Sequence, residues 1–369
     1  MRPSKSAARA VAGRAAGLRA GRPQGYADGY HLGRCQAVRS AVLPPSVSVR
    51  KMKVLFIPQG FPAIDGGIAA ALKSIVSELV TGTPAGMLEL ARQHLPDLVL
   101  VMNGLHVFPA DHLQQIKGIR KLGIRTAVWF ADDPYFTNDT ASIAPQYDAV
   151  FTHELSCLDF YRSLGCSCVE YLPLAVDTAL FRPVPVEDKY RSDVCFIGMG
   201  FWNRIEVFDR LAPLLAGKRV FIGGGLWERM RHFALLKRSV RPGWIPIEES
   251  VKYYSGAKIV INLHRGTDAA GDNRNARALP ARSINPRTYE ISACGTLQLT
   301  DVREDLTAYY KPGKDLDIYH SPGELADKIE YYLQHDAQRR VLAYQGLQRT
   351  LQEHAFHYRI NRLLRLLGY

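Results

Sequence analysis

No stretch of this 369-residue chain is apolar over the roughly 18 residues that a membrane-spanning helix needs, and no apolar core follows its basic start as a secretory leader requires. The sequence therefore predicts a cytoplasmic protein. Cysteine is scarce: the six, Cys35, Cys157, Cys166, Cys168, Cys195 and Cys294, are scattered, several of them inside apolar segments where a thiol behaves as a small hydrophobe. Cys166 and Cys168 stand too close for a zinc knuckle and no second pair follows, which argues against structural zinc. Acid is almost missing from residues 1–53, where Asp28 alone faces eleven Lys and Arg, so this arm carries +10 of the formal +12. The rest is nearly balanced, and a specific nucleic-acid partner is not expected. The arm also has few large apolar residues. Residues 1–51 are predicted to be a mostly disordered basic arm that the core fold does not need, with contact to an acidic partner or surface as its alternative role.

What the chain does have is a 47% hydrophobic fraction and length enough for two cores. From residue 53 onward short apolar runs alternate with helical segments, the rhythm of a parallel α/β sheet. Strands are predicted at 54–57, 98–102, 126–130 and 149–152, and their exits carry polar groups: His106, then Asp132 and Asp133, then His153 and Glu154. Adjacent residues leaving a strand point to opposite faces, so Asp132 and Asp133 do not read as a metal pair. An apolar plug between prolines, 172–183, leads into a polar connection. A second series follows, with strands at 193–197, 219–222 and 258–263. The first opens into Gly198-Met199-Gly200-Phe201-Trp202-Asn203-Arg204, a turn whose two glycines and cation let backbone approach phosphate, though the third glycine of a dinucleotide fingerprint is absent. The second opens into Gly223-Gly224-Gly225, and the third into His264-Arg265-Gly266. A polar loop, 267–283, has the length of a lid.

The chemistry concentrates in 283–301. Asn285 is an N-cap residue, Pro286 suits the first helical position, and Gly295 supplies a left-handed stop before a buried strand at 297–300. Such a helix points free N–H groups and the positive end of its dipole at an anion, to which Arg287 adds a fork of donors. Glu290 lies one turn on, where a carboxylate can accept hydrogen bonds from ribose hydroxyls. The plain alternative is a capped helix with Glu290 paired to Arg287. A helix is predicted over 322–334, and the apolar spacing over 337–367 gives packing helices, the last returning to the first domain.

Taken together, the order of parts resembles that of GT-B glycosyltransferases, and more closely the CgeB family of spore-maturation proteins. That resemblance rests on Asn285-Pro286-Arg287-Thr288-Tyr289-Glu290 ahead of Ala293-Cys294-Gly295, and on Trp129-Phe130-Ala131-Asp132-Asp133-Pro134. It covers about residues 52–367. It implies two Rossmann-like domains with parallel sheets facing a central cleft: an acceptor domain at 52–183, a linker at 184–191, a donor domain at 192–340, and C-terminal helices at 341–369 packing across both. It further implies transfer of a sugar from a nucleotide-sugar donor, UDP- or similar, to a glycan or protein acceptor of the spore surface or cell envelope; with backbone N–H groups and Arg204, Arg265 or Arg287 to meet the charge of the leaving diphosphate, no metal or other cofactor is expected. By position, Glu290 matches the ribose-binding carboxylate, Gly198 and Gly200 the diphosphate contacts, Gly223, Gly224 and Gly225 the base contacts, and Asn285, Pro286 and Arg287 the phosphate site. Asn203, Arg204, His264 and Arg265 complete the expected donor set. His106, Asp132 and Asp133 are the expected catalytic groups. Many retaining members carry a Glu eight residues before the ribose carboxylate, and here that place is Arg282, so retention and inversion both stay open. A sugar-nucleotide epimerase and a non-catalytic sugar-nucleotide-binding or coat-assembly protein are the competing readings.

Overall fold

The computed structural model describes residues 5–43, 48–267 and 271–369. The two predicted series of βα units are two lobes. In the first, β1 (Arg50–Ile57), β2 (Val76–Thr81), β3 (Leu98–Met102), β4 (Arg125–Phe130), β5 (Ala149–Thr152) and β6 (Val169–Tyr171) form one six-stranded sheet in the order β2-β1-β3-β4-β5-β6. In the second, β7 (Ser192–Ile197), β8 (Val220–Gly223), β9 (Val240–Arg241), β10 (Ala257–Asn262), β11 (Leu297–Asp301) and β12 (Asp317–Tyr319) form another, in the order β12-β11-β10-β7-β8-β9. Every pairing is parallel. Parallel sheets are covered on both faces, which is why β3 and β5 read as unbroken apolar runs and are buried at every position. In each sheet the strand order reverses once, between β1 and β3 in the first lobe and between β7 and β10 in the second. Open α/β sheets bind ligands outside the carboxyl ends of the strands flanking that reversal.

The helix Phe356–Leu366 crosses back as expected. Phe356, Ile360, Leu363 and Leu364 share one face by their helical spacing and are buried in the first lobe's core with Val54, Leu72 and Trp129. Gly67 makes room for this crossing, because a Cβ there would lie 2.3 Å from the Phe356 ring. Arg359 fastens the same helix to the interlobe connection through Pro173 O and Leu174 O at 3.1 and 3.2 Å.

The N-terminal arm departs from expectation. It is helical over Lys5–Ala41, and its second half lies against the helix Asp336–Glu353. Cys35 is wholly buried, His31 hydrogen-bonds Tyr344 Oη at 3.0 Å, Arg340 donates to Ala27 O at 2.6 Å, and Arg191 pairs with Asp28. Composition alone misses this because the contact is made by a few residues spaced along one side of an otherwise polar helix.

Candidate active site

The loop leaving β10 and the helix Pro286–Ala293 are locked together by a fully paired polar network. Asn262, at the end of β10, and Asn285, the N-cap, exchange amide hydrogen bonds at 2.9 and 3.1 Å, and Asn262 Nδ2 also reaches Thr288 Oγ1 and Gln298 Oε1, each at 3.0 Å. Asn285 Oδ1 accepts from the Thr288 N–H at 3.2 Å, the capping bond expected of it. His264 is buried, with Nδ1 2.5 Å from Asp301 Oδ1 and Nε2 accepting the Asn285 N–H at 3.0 Å. Burial lowers its pKa against the pull of Asp301, so the ring is a neutral tautomer held between two protein partners. His264, expected in the donor set, thus has both nitrogens spent on placing the N-cap.

On the same helix stand Arg287 and Glu290. Both are half-buried, and among the described residues neither side chain has a hydrogen-bond or ion-pair partner, so the plain Arg287–Glu290 pair is not formed. Burial raises the Glu290 pKa from 4.5 to about 7, with Arg287 pulling the other way. Arg204 lies close behind, 2% exposed, its Nε donating to Leu263 O at 3.0 Å and Nη1 to Met199 O at 2.9 Å, its plane over the Phe196 and Phe201 rings. Burial and then Arg287 lower its pKa to about 9. A buried cation without a carboxylate partner, next to a second cation, is an electrostatic demand that an anion would meet.

The glycines of the second lobe serve first to dock two loops on each other. Gly200 N donates to Gly225 O and Gly198 N to Gly223 O, both at 2.8 Å. A Cβ on Gly224, whose φ is +136°, would lie 2.1 Å from Gly198 O, and one on Gly200 would lie 2.9 Å from the Leu226 backbone. Asn203 spends its whole amide on the β10 exit, donating to His264 O at 2.8 Å and accepting from Gly266 N at 3.1 Å. Arg265 stacks on Phe201 at 4.3 Å and on Tyr135 of the first lobe at 4.6 Å, with its guanidinium bonded to Asp272 O.

Across the cleft, His106 and Asp132 are brought together. His106 Nε2 lies 3.2 Å from Asp132 Oδ2, which also accepts from Asn103 Nδ2 at 2.8 Å. The Asp132 hydrogen bond raises the His106 pKa, and among the described residues Nδ1 has no partner. Asp133 faces the opposite way, 1% exposed, accepting from Thr152 Oγ1 and Tyr161 Oη at 2.6 Å each. Burial raises its pKa to about 7. It is a core acid, both carboxyl oxygens held by protein hydroxyls. Beside His106 opens a cavity of about 500 Å³, walled by Phe108, Phe136, Asn138, Asp139 and Arg274.

Arg274 belongs to the long loop, which reaches the first lobe over its described part. Its N–H donates to Tyr135 O at 2.7 Å, its guanidinium pairs with Asp139, and Asn275 Oδ1 accepts from Thr137 Oγ1 at 2.8 Å. Two acids to which the sequence gives no such role, Glu154 and Asp305, hold the lobes here. Glu154 accepts the N–H groups of Arg282 and Ser283 at 3.0 and 3.2 Å, and Asp305 accepts from Tyr171 Oη at 2.5 Å and from Ile284 N at 2.9 Å. Only the pairing of distant segments identifies them. Among the described residues no three His, Cys, Asp or Glu side chains are grouped to hold a metal ion, and no helix is long and apolar enough to cross a membrane.

Residues 204–365 match a family model described as glycosyl transferase-like. Among solved structures, the chain resembles a sucrose-phosphate synthase from Thermosynechococcus elongatus (TM-score 0.57, 14% identity, 86% of this chain and 99% of that one). It resembles equally Anabaena HepE in complex with UDP and glucose (TM-score 0.57, 12% identity, 86% and 99%). At such identities these show the shared two-lobed fold. A curated relative, the spore protein CgeB of Bacillus subtilis, is 30% identical over 318 residues, 83% of this chain and 95% of its own. Likeness sustained through both lobes and the joint between them goes beyond fold, and the chain belongs to the CgeB-like family of GT-B glycosyltransferases.

Proposed function

We propose that the protein transfers a sugar from a nucleotide-sugar donor, held by the second lobe, to a hydroxyl of a glycan or protein acceptor held by the first. The observation that carries this reading is the pair on the helix Pro286–Ala293: a carboxylate, Glu290, one turn behind a cation, Arg287, neither with a partner among the described residues, with Arg204 buried beside them. Ribose offers two vicinal hydroxyls to the carboxylate, and a diphosphate offers its charge to the two arginines and to the helix N-terminus. A UDP donor fits the complexes in which HepE is seen, and a spore-surface acceptor fits CgeB as a spore protein.

In transfer, the acceptor oxygen bonds to the anomeric carbon, the bond from that carbon to the diphosphate breaks, and the nucleoside diphosphate leaves with the electron pair. Arg287 and Arg204 gain interaction energy as that charge develops, so they favour the transition state over the bound donor. The acceptor hydroxyl loses its proton to His106 Nδ1, the tautomer being set by the Nε2–H bond to Asp132. In this reading protein cations rather than a metal carry the leaving charge.

A thermal-shift panel of UDP, GDP, dTDP, CDP and their sugars tests the donor site, because ligand stabilisation follows mass action. A full shift retained by Glu290→Ala removes the ribose role of Glu290, and no shift with any nucleotide removes the donor reading. Epimer formation from a donor alone would count against transfer.

A further inference from the structure

We propose that the N-terminal helix is a working part of the donor site: His31 positions the helix that carries Arg287 and Glu290 by gripping its C-terminal stop, Gly295. The proposal rests on the donor reading above. Gly295 is the left-handed residue that ends the helix Pro286–Ala293, at φ +69°. Its carbonyl receives His31 Nε2 at 3.0 Å, while His31 Nδ1 accepts from Tyr344 Oη at 3.0 Å and the ring stacks on Tyr344 with centroids 5.1 Å apart. The imidazole is therefore fixed at both nitrogens and on one face, and can transmit a position rather than merely cover a surface.

Gly295 sits where three distant segments meet. A Cβ built on it would lie 2.8 Å from Cys35 Sγ of the N-terminal helix, 3.1 Å from Pro183 at the end of the interlobe plug and 3.7 Å from Leu347. The N-terminal helix also holds that plug directly, since Arg39 Nη1 donates to Thr178 O at 3.2 Å. Its contacts with Arg191 and Arg340 fix it to the second lobe. The donor helix is thus clamped at both ends, by the Asn285–His264–Asp301 network at its start and by His31 at its stop. Glu290 and Arg287 lie between the clamps. The C-terminal end of the helix carries partial negative charge, and Arg39 of the arm acts electrostatically on its C-cap residue, Cys294. Removing the arm would leave the Gly295 carbonyl and the Cys35 socket open at the end of the element that holds the donor.

The experiment uses the full chain and compares His31→Phe, which keeps a ring and removes the donor, with His31→Gln, whose amide N–H can still reach Gly295 O. UDP, GDP, dTDP and CDP are titrated in parallel, and amide exchange of residues 290–295 is followed without ligand. His31→Phe is expected to raise the Kd of the bound nucleotide roughly five- to tenfold and to speed exchange at 290–295, while His31→Gln restores both to within about twofold. Unchanged Kd in a folded His31→Phe overturns the proposal, as does a loss that His31→Gln does not rescue. If the wild-type chain binds none of the four nucleotides, the donor reading has failed. The clamp is then decided by exchange alone, and unchanged exchange in His31→Phe overturns it as well.

Discussion

Glu290 gives the sharpest test, because burial has put its pKa where ordinary buffers can read it. The carboxyl is raised from 4.5 to about 7 by desolvation, with Arg287 only partly opposing. A ribose diol needs the carboxylate as acceptor, so the ionised form is the binding form. If only that form binds, Kd for a nucleotide sugar rises about tenfold between pH 8 and pH 6. A nucleotide sugar is the right probe, since its diphosphate does not titrate in this window whereas the terminal phosphate of a free diphosphate does. Glu290→Gln exchanges two charge-assisted acceptor positions for one neutral carbonyl, a loss of about 1.5 to 3 kcal/mol, or roughly 10- to 150-fold in Kd at pH 8. The gap should close toward pH 6, where the wild-type side chain is mostly protonated. Stability moves oppositely. Between pH 4.5 and 7 the folded chain holds a proton that the unfolded chain has lost, so the cost of this carboxyl is absent below 4.5 and complete above 7. Glu290→Gln should therefore be more stable than wild type at pH 8 by about 1 to 3 kcal/mol and no more stable at pH 4.5. Isothermal titration and denaturant melts at these pH values decide it. A wild-type affinity flat from pH 6 to 8, or a Glu290→Gln affinity equal to wild type at pH 8, refutes the assignment.

Replacing His106 by Ala should lower kcat by about 10²- to 10⁴-fold with nucleotide Kd unchanged, and Asp132→Asn should follow it, read by steady-state kinetics against direct titration. A fall in nucleotide affinity instead would place the pair in the donor site. Transfer should survive chelation, so an EDTA-treated sample that loses its rate and regains it with added divalent ion would contradict the arginine-borne leaving charge. Gly224→Ala meets Gly198 O at 2.1 Å in a backbone conformation that L residues avoid, and should cost about 2 kcal/mol or more, seen as a lowered denaturation midpoint; a neutral outcome would mean the 198–200 and 223–225 loops are not docked as described. Phe356→Ala empties a buried site in the first lobe's core, where the returning helix packs, and should cost about 3 to 5 kcal/mol, again by denaturant melt.

The elements legible in the sequence are those whose causes lie within a few residues. Asn285, Pro286 and Gly295 bound a helix through local rules of capping and left-handed geometry, and the structure has that helix at Pro286–Ala293 with its cap bond made. The apolar runs of buried parallel strands are equally local. The strands without a sequence signal are the four that close the sheet edges, β2 with half-exposed positions, β6 and β12 with three residues each and β9 with two. Residue roles depended on partners far away. His264 looks like a ligand by its place at a strand exit, and only Asp301, 37 residues on, shows that its nitrogens are taken. Asp133 looks as available as Asp132 until Thr152 and Tyr161 close over it.

The two halves of the proposed site differ in the same physical sense. In the second lobe, the groups that read as ligands divide into those the protein has already satisfied and those it has not. Asn203, His264 and Asn285 have their side chains committed to protein partners, while among the described residues Arg287 and Glu290, on one helix, have no hydrogen-bond or ion-pair partner. A buried polar network that is complete holds its shape at little cost, and an incomplete one is costly unless something arrives to complete it. The division therefore separates frame from contact without appeal to any relative. Applied to the first lobe, it separates Asp133, committed twice, from His106, whose Nδ1 has no partner among the described residues and which lines a cavity. Applied to the arm, it places His31 with the frame, since both of its nitrogens are taken and one of them holds the stop of the helix on which Glu290 stands.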